Sequence, residues 1–190
     1  MDKPELYFER DVDWYDWLKN NHDRYDGVYL VFYKLETGKP TMRWEEAVKV
    51  ALCFGWIDST VKSLGNGKRR QYFCPRNIKS AWSALNKKHV EELITANLMQ
   101  ESGFKMIEIA KYNGMWTYMD DVENGVIPVD LQEAFDANEL AFDHYQNFSR
   151  GYRKSYLSWL NSAKREETRQ KRIKEIIRLC EANIKSRDTY

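Results

Sequence analysis

The chain has 190 residues, 43% of them apolar and 31% charged, and a formal net charge of +1. That length and balance suit one good core, or one domain with a smaller companion, and exclude fibrous and disordered classes. Near-neutrality removes any whole-molecule electrostatic case for nucleic acid.

In chain order, Asp13-Trp-Tyr-Asp16 reads as a helix start, with acids where free backbone N–H groups and the helix dipole favour them. That helix should run to about His22 and bury Trp14, Trp17 and Leu18. Asp26-Gly27 turns the chain, and Val28 to Tyr33 is a β-branched and aromatic run of strand length. Thr41 is the predicted N-cap of a second helix carrying Trp44, Ala47, Val48, Ala51 and Leu52 and ending near Gly55. Ile57–Leu64 and Arg69–Cys74 read as a hairpin about Gly65-Asn66-Gly67, stopped by Pro75. Ser80 should cap a helix bearing Trp82, Leu85, Val90, Leu93 and Ile94, and Phe104 to Asn113 should form another.

Gly125, Pro128 and the pair Asp130 and Glu133 mark a boundary, beyond which everything reads helical. One apolar stripe there holds Phe148, Tyr152, Tyr156, Trp159, Leu160 and Ala163. A second holds Ile173, Ile176, Ile177, Cys180 and Ile184. The expected class is therefore α+β: a small antiparallel sheet packed with helices over residues 1–120, then a helical module over 121–190.

Charge is distributed in blocks. Tyr112 to Ser149 contains no Lys or Arg but eight acids, from Asp120 to Asp143. The stretch from Arg150 to Lys174 reverses the sign, and the simplest expectation is that the blocks dock on each other. Three cysteines, an odd and small number, argue for a reducing compartment. The N-terminal sequence lacks a signal-peptide pattern, and no apolar run approaches the roughly 20 residues that span a bilayer. A cytoplasmic protein without membrane insertion is expected.

Chemistry concentrates between Cys53 and Asn86. Asp58 follows the apolar Phe54-Gly-Trp56-Ile57, and no further acid occurs before Glu91, while Lys62, Lys68, Arg69, Arg70, Arg76, Lys79, Lys87 and Lys88 intervene. With the hairpin closed at Leu64 and Lys68, Lys62 faces Arg70 and Thr60 faces Tyr72. Two opposed cations need compensation from Asp58 or a bound anion, and a slip of one residue would instead set Lys62 against Gln71. Arg76, the hydroxyls of Ser80 and Ser83, and a helix N-terminus near Trp82 are ingredients of a carboxylate or phosphate site. The structural alternative is that Asp58 bridges Arg76 and pins strand to helix, with Ser83 and Asn86 satisfying backbone groups. The histidines, His22, His89 and His144, match no metal-ligand spacing, and His89 reads as a surface or rim residue. Cys53 reads as a buried thiol. Cys74, near Arg76, reads as a packed residue before an activated one. No metal and no organic cofactor are expected.

These residues carry a family resemblance. Phe54-Gly-Trp-Ile-Asp-Ser59, Lys62, Gln71-Tyr-Phe-Cys-Pro-Arg76, Ser80-Ala-Trp-Ser83 and Asn86 resemble the YdeI/OmpD-associated family, also labelled bacteriocin-protection proteins. The tail, with Ser149-Arg-Gly-Tyr-Arg-Lys154, Trp159, Ala163-Lys164 and Glu167 to Ile173, is similar to that family's helical module. Cys74 stands where Ser or Thr is usual, and Gly151 where a second Arg is common. The resemblance covers about residues 11–180 and implies an α+β fold in a stress or bacteriocin-protection context, without a defined activity.

Two functional readings follow. In the first, a small anionic ligand binds among Trp56, Asp58, Lys62, Arg70, Gln71, Arg76, Ser80, Trp82, Ser83 and Asn86. In the second, the protein is an interaction module whose basic and aromatic surfaces, including the helix around Arg165 to Lys174, meet nucleic acid or an acidic protein.

Overall fold

A computed structural model describes residues 3–187. The fold is α+β with a helical C-terminal part, and the chain forms two compact units that divide between Thr117 and Tyr118. No helix among the described residues is long and apolar enough to cross a membrane.

The first unit is built on a four-stranded mixed sheet. Strand β1 (Glu5–Tyr7) leads through helix α1 (Asp11–Asn21) into β2 (Val28–Tyr33). The helical crossover brings β2 back parallel to β1, with Leu6 beside Leu30. Helix α2 (Trp44–Cys53) precedes the hairpin of β3 (Trp56–Gly65) and β4 (Lys68–Pro75), and the sheet order is β1-β2-β4-β3. The expected antiparallel pairs form, and β1, which is too short to read from the sequence, is added at the edge. Helices α3 (Ala84–Thr95) and α4 (Glu101–Tyr112) complete the unit.

Register separates the two faces of the sheet. Val28 opposes Phe73, Leu30 opposes Gln71 and Phe32 opposes Arg69, so these share one face. Tyr29 with Tyr72, Val31 with Arg70, and Tyr33 with Lys68 share the other. The helices cover the first face. Trp14 of α1 is fully buried there, with ring centroids 5.9 Å from Phe73, 6.4 Å from Trp56 and 5.4 Å from Trp17. Its indole N–H donates to the Ala47 carbonyl of α2 at 3.2 Å, so the ring ties both helices to the sheet without an unpaired polar atom.

Several local expectations are corrected. The N-cap of α2 is Arg43, not Thr41, whose hydroxyl instead accepts from the Tyr33 N–H. The cap of α3 is Ser83, which accepts from the Asn86 N–H at 3.2 Å. Ser80 ends a turn, and Trp82 lies before the helix. The hairpin does pair Lys62 with Arg70 around Gly65-Asn66-Gly67, where φ is +77°, +49° and +70°. Thr60 does not face Tyr72: the register shifts between Asp58 and Val61, leaving Ser59 and Thr60 in a bulge. His89 is buried at 2% exposure rather than lying at a rim, because α3 turns it inward beside Val90.

The second unit is all helix: α5 (Asp120–Asn124), α6 (Val129–Asp136), α7 (Glu139–Asn147), α8 (Arg150–Asn161) and α9 (Glu166–Glu181). Leu131, Phe135, Tyr145, Tyr156, Leu160 and Ile176 form its core. Tyr152, placed in the first stripe, is exposed. The opposed charge blocks do meet here. Lys154 pairs with Glu123 at 2.7 Å, and Arg169 holds Asp130 through two hydrogen bonds, one of 2.8 Å. Those bonds hold the Asp130 carboxyl below the usual carboxylate range.

Two stability outcomes follow. A Cβ at Gly103 in α4 would stand 2.3 Å from the Cys53 carbonyl oxygen at the end of α2. Gly103→Ala should therefore lower stability in urea denaturation by roughly 1–3 kcal/mol. Gly151→Ala, where the nearest atom lies 3.9 Å away in a helix, should cost nothing or add up to about 1 kcal/mol. A depressed folded-state pKa contributes stability above the unfolded value and loses it as pH falls through the folded one. Asp130→Asn should thus cost on the order of 1 kcal/mol at neutral pH, and its melting curve should begin to approach the wild type's as pH falls below about 4 and meet it only below the lowered folded-state value.

Candidate functional site

The ten residues singled out in the sequence separate into four places in the first unit. Trp56 is core, 1% exposed, and its indole N–H donates to the His22 carbonyl. Asp58 and Gln71 sit together on the helix-covered face of the sheet, whereas Lys62 and Arg70 project from the opposite face. Arg76, Ser80, Trp82, Ser83 and Asn86 lie in and just after the connection to α3.

The Asp58 carboxylate is a junction. One oxygen, Oδ2, accepts from the Trp44 indole N–H at 2.9 Å and from the Gln71 amide. A carboxylate shared by two side-chain donors holds both rotamers. Trp44, at the first turn of α2, is thereby fixed to β3 while keeping 37% of its surface exposed.

Arg76 is 6% exposed, and its guanidinium lies 3.9 Å from the Trp82 ring centroid. Its Nη2 donates to the Ala81 carbonyl at 2.5 Å, while Nε and Nη1 are buried without a partner. Burial pushes its pKa down to about 10, and the nearby Asp58 charge opposes that shift. Arg76 thus pins the connection by stacking and one carbonyl contact, with Asp58 acting on it through space. Stacking on Trp82 offsets part of the desolvation cost.

The opposed cations resolve differently from the expectation. Arg70 is compensated by Glu5 of β1 at 3.1 Å and lies 4.3 Å from the Tyr29 ring centroid. Lys68 also reaches Glu5, at 3.5 Å, and Lys62 makes no ion pair among the described residues. The thiols are not activated. Burial raises Cys53 to about 12 and also raises Cys74, to which Asp26 and Asp58 add in the same direction.

The feature that the sequence did not bring forward is a groove of about 670 Å³ on the helix-covered face, at the turn end of the hairpin. Its floor is Phe32, Met42, Trp44 and Val61. Around it stand Lys34, Arg43, Lys68 and Arg69, with no carboxylate in the lining. Lys34 donates its backbone N–H to the Gly67 carbonyl at 2.8 Å, which holds that wall against the turn. Arg69 lies 5.2 Å from the Phe32 ring centroid, its charge carried on an apolar surface. None of the ten predicted residues lines the groove; Asp58 and Gln71 touch it only through Trp44. The signal for it was scattered over Phe32 to Trp44 and Val61 to Arg69, segments joined only by the sheet register.

Coupling between Asp58 and Arg76 is measurable. Asp58→Ala strands two donors and removes the charge nearest a buried cation, so it should cost on the order of 2 kcal/mol. In a double-mutant cycle with Arg76→Met, the pair should fall short of additivity by at least about 0.5 kcal/mol. Additive losses would mean that the two side chains act independently.

Residues 124–183, most of the helical unit, match the family model described as Bacteriocin-protection, YdeI or OmpD-Associated. The resemblance read from the sequence is thus met in the tail, while the Phe54–Asn86 motif falls in a segment matched by a different model. No curated protein and no solved structure matches the chain. The second family model spans residues 6–106, just over half of the 190, and takes in the sheet, the groove and the Asp58 junction. The chain belongs to the family described as a domain of unknown function, DUF8412.

Proposed function

We propose that the first unit is a binding domain for an anionic ligand with a flat or apolar portion, seated in the groove between the hairpin turn and the start of α2. The observation that carries this reading is the lining itself: Lys34, Arg43, Lys68 and Arg69 around Phe32, Met42, Trp44 and Val61, without a carboxylate. Four cations around an apolar floor, of which Lys34 and Lys68 reach Glu36 and Glu5 while Arg43 and Arg69 form no ion pair among the described residues, favour a phosphate or carboxylate attached to a ring. The volume, about 670 Å³, lies within the range of small-molecule sites. Asp58 and Gln71 act as positioning residues that keep Trp44 at the wall, and Arg76 supports that junction from behind. We place the protein in the cytoplasm, where the three free cysteines suit a reducing compartment. From the description of the family matched by the second unit, we place it in a bacteriocin-protection context.

The test is a thermal-shift screen of nucleoside phosphates, inorganic phosphate and aromatic carboxylates on the wild type and on Lys34→Glu/Arg43→Glu. Both replaced residues are exposed, so folding should be unaffected. At ligand concentrations about 100-fold above Kd, stabilisation of nearly 3 kcal/mol, a shift of several degrees, is expected for the wild type. The charge-reversed protein should show no shift. An equal shift in both proteins, or none in either, would remove the groove as the binding site.

A further inference from the structure

The positive charge does not stop at the groove. Tyr33 and Lys68 line the groove and also oppose each other in register on the uncovered face of the sheet. From that pair the cations continue. Lys39 lies 4.7 Å from the Tyr33 ring centroid, and Lys62 and Arg70 oppose each other across β3 and β4. Arg70 in turn lies over Tyr29, which packs on Tyr72 with ring centroids 5.1 Å apart. Seven cations (Lys34, Lys39, Arg43, Lys62, Lys68, Arg69 and Arg70) therefore wrap the hairpin end. The carboxylates paired with them are Glu5 and Glu36. Arg70 Nε is buried and unpartnered, although its terminal nitrogen is held by Glu5.

The buried core of the first unit gathers on the Val28, Leu30, Phe32 and Phe73 face, whereas Tyr29, Tyr33 and Tyr72 on the other are half-buried and Lys62 is exposed. The cations are spaced along a path from groove to open face rather than gathered at one point. A single phosphate would use only a few of them. A polymer with a charge at every unit and a flat ring at every unit would use the whole path, through backbone contacts and stacking on tyrosine or on the guanidinium plane of Arg70.

We propose that the ligand of the groove is one unit of a single-stranded nucleic acid whose neighbouring nucleotides continue around the hairpin end onto the Tyr29–Tyr72 face. This rests on the groove reading and extends it. The near-neutral net charge is no obstacle, because the complementarity is local to this end of the sheet.

The experiment is fluorescence anisotropy with labelled oligothymidylate and oligouridylate of 2, 6 and 12 nucleotides, alongside a thermal shift with a nucleoside monophosphate. It uses the whole chain, Lys34→Glu/Arg43→Glu for the groove, and Lys39→Glu/Lys62→Glu for the path. The path residues are exposed and stand outside the groove lining. Affinity should rise from 2 to 6 nucleotides or beyond and fall steeply with salt. The path variant should bind the 12-mer about tenfold more weakly, with a shallower salt dependence, while its monophosphate shift stays at the wild-type value. Preference for the DNA or the RNA series identifies the source, and either supports the proposal. Affinity independent of length, or an unaltered path variant, overturns the inference and leaves the groove reading standing. Equal binding of a poly-glutamate peptide of the same charge also overturns it, since stacking would then contribute nothing. Absence of a monophosphate shift in the wild type would also overturn the inference, while the groove reading falls only when aromatic carboxylates and inorganic phosphate give no shift either.

Discussion

The first unit depends on a single asymmetry: its helices cover one face of the sheet only. Trp14 sets that asymmetry, because its ring meets Phe73 and Trp56 of the sheet while its indole N–H reaches the Ala47 carbonyl of α2. A large aromatic with a satisfied polar edge gives both burial and orientation. Once α1 and α2 are fixed in this way, α2 begins at Trp44, beside the hairpin. The hairpin is longer than the helical layer that covers it, and its overhang is the groove.

The Asp58 junction shows how a residue that touches no ligand site shapes one. Its carboxylate fixes Trp44 from α2 and Gln71 from β4, so three elements share one rotamer set. Arg76 stands behind it, buried, stacked on Trp82 and felt electrostatically. The sequence motif around these residues is accordingly a scaffold motif in large part. Its polar members hold the start of α2 against β3 and the connection against α3.

The architecture was legible where periodicity and composition speak directly. The β-branched run at Val28–Tyr33, the Gly65-Asn66-Gly67 turn and the helical tail all follow from local rules. The cap at Ser80 failed because a second hydroxyl, Ser83, lies three residues on and takes the role, and the cap at Thr41 failed because its hydroxyl accepts from the Tyr33 N–H while α2 starts only at Trp44. The two faces of the sheet were harder to assign. Grouping Asp58, Lys62, Arg70 and Arg76 in one pocket rested on plain alternation, which puts Asp58 and Lys62 on one face; the bulge at Ser59 and Thr60 sends Lys62 and Arg70 to the far one. The groove was illegible for a different reason, since its cations come from three separate places in the chain, Lys34, Arg43 and Lys68-Arg69, that only the folded sheet brings side by side.

The bulge at Ser59 and Thr60 has a consequence beyond register. β3 is an edge strand, and an edge presents backbone donors and acceptors to any other extended chain. Two residues out of step interrupt that ladder midway, and the exposed Lys62 stands just beyond, after Val61. At the opposite edge, β1 is only three residues long. Neither margin of the sheet offers a continuous backbone template, so a visiting molecule meets this unit through its side chains and does not become a fifth strand.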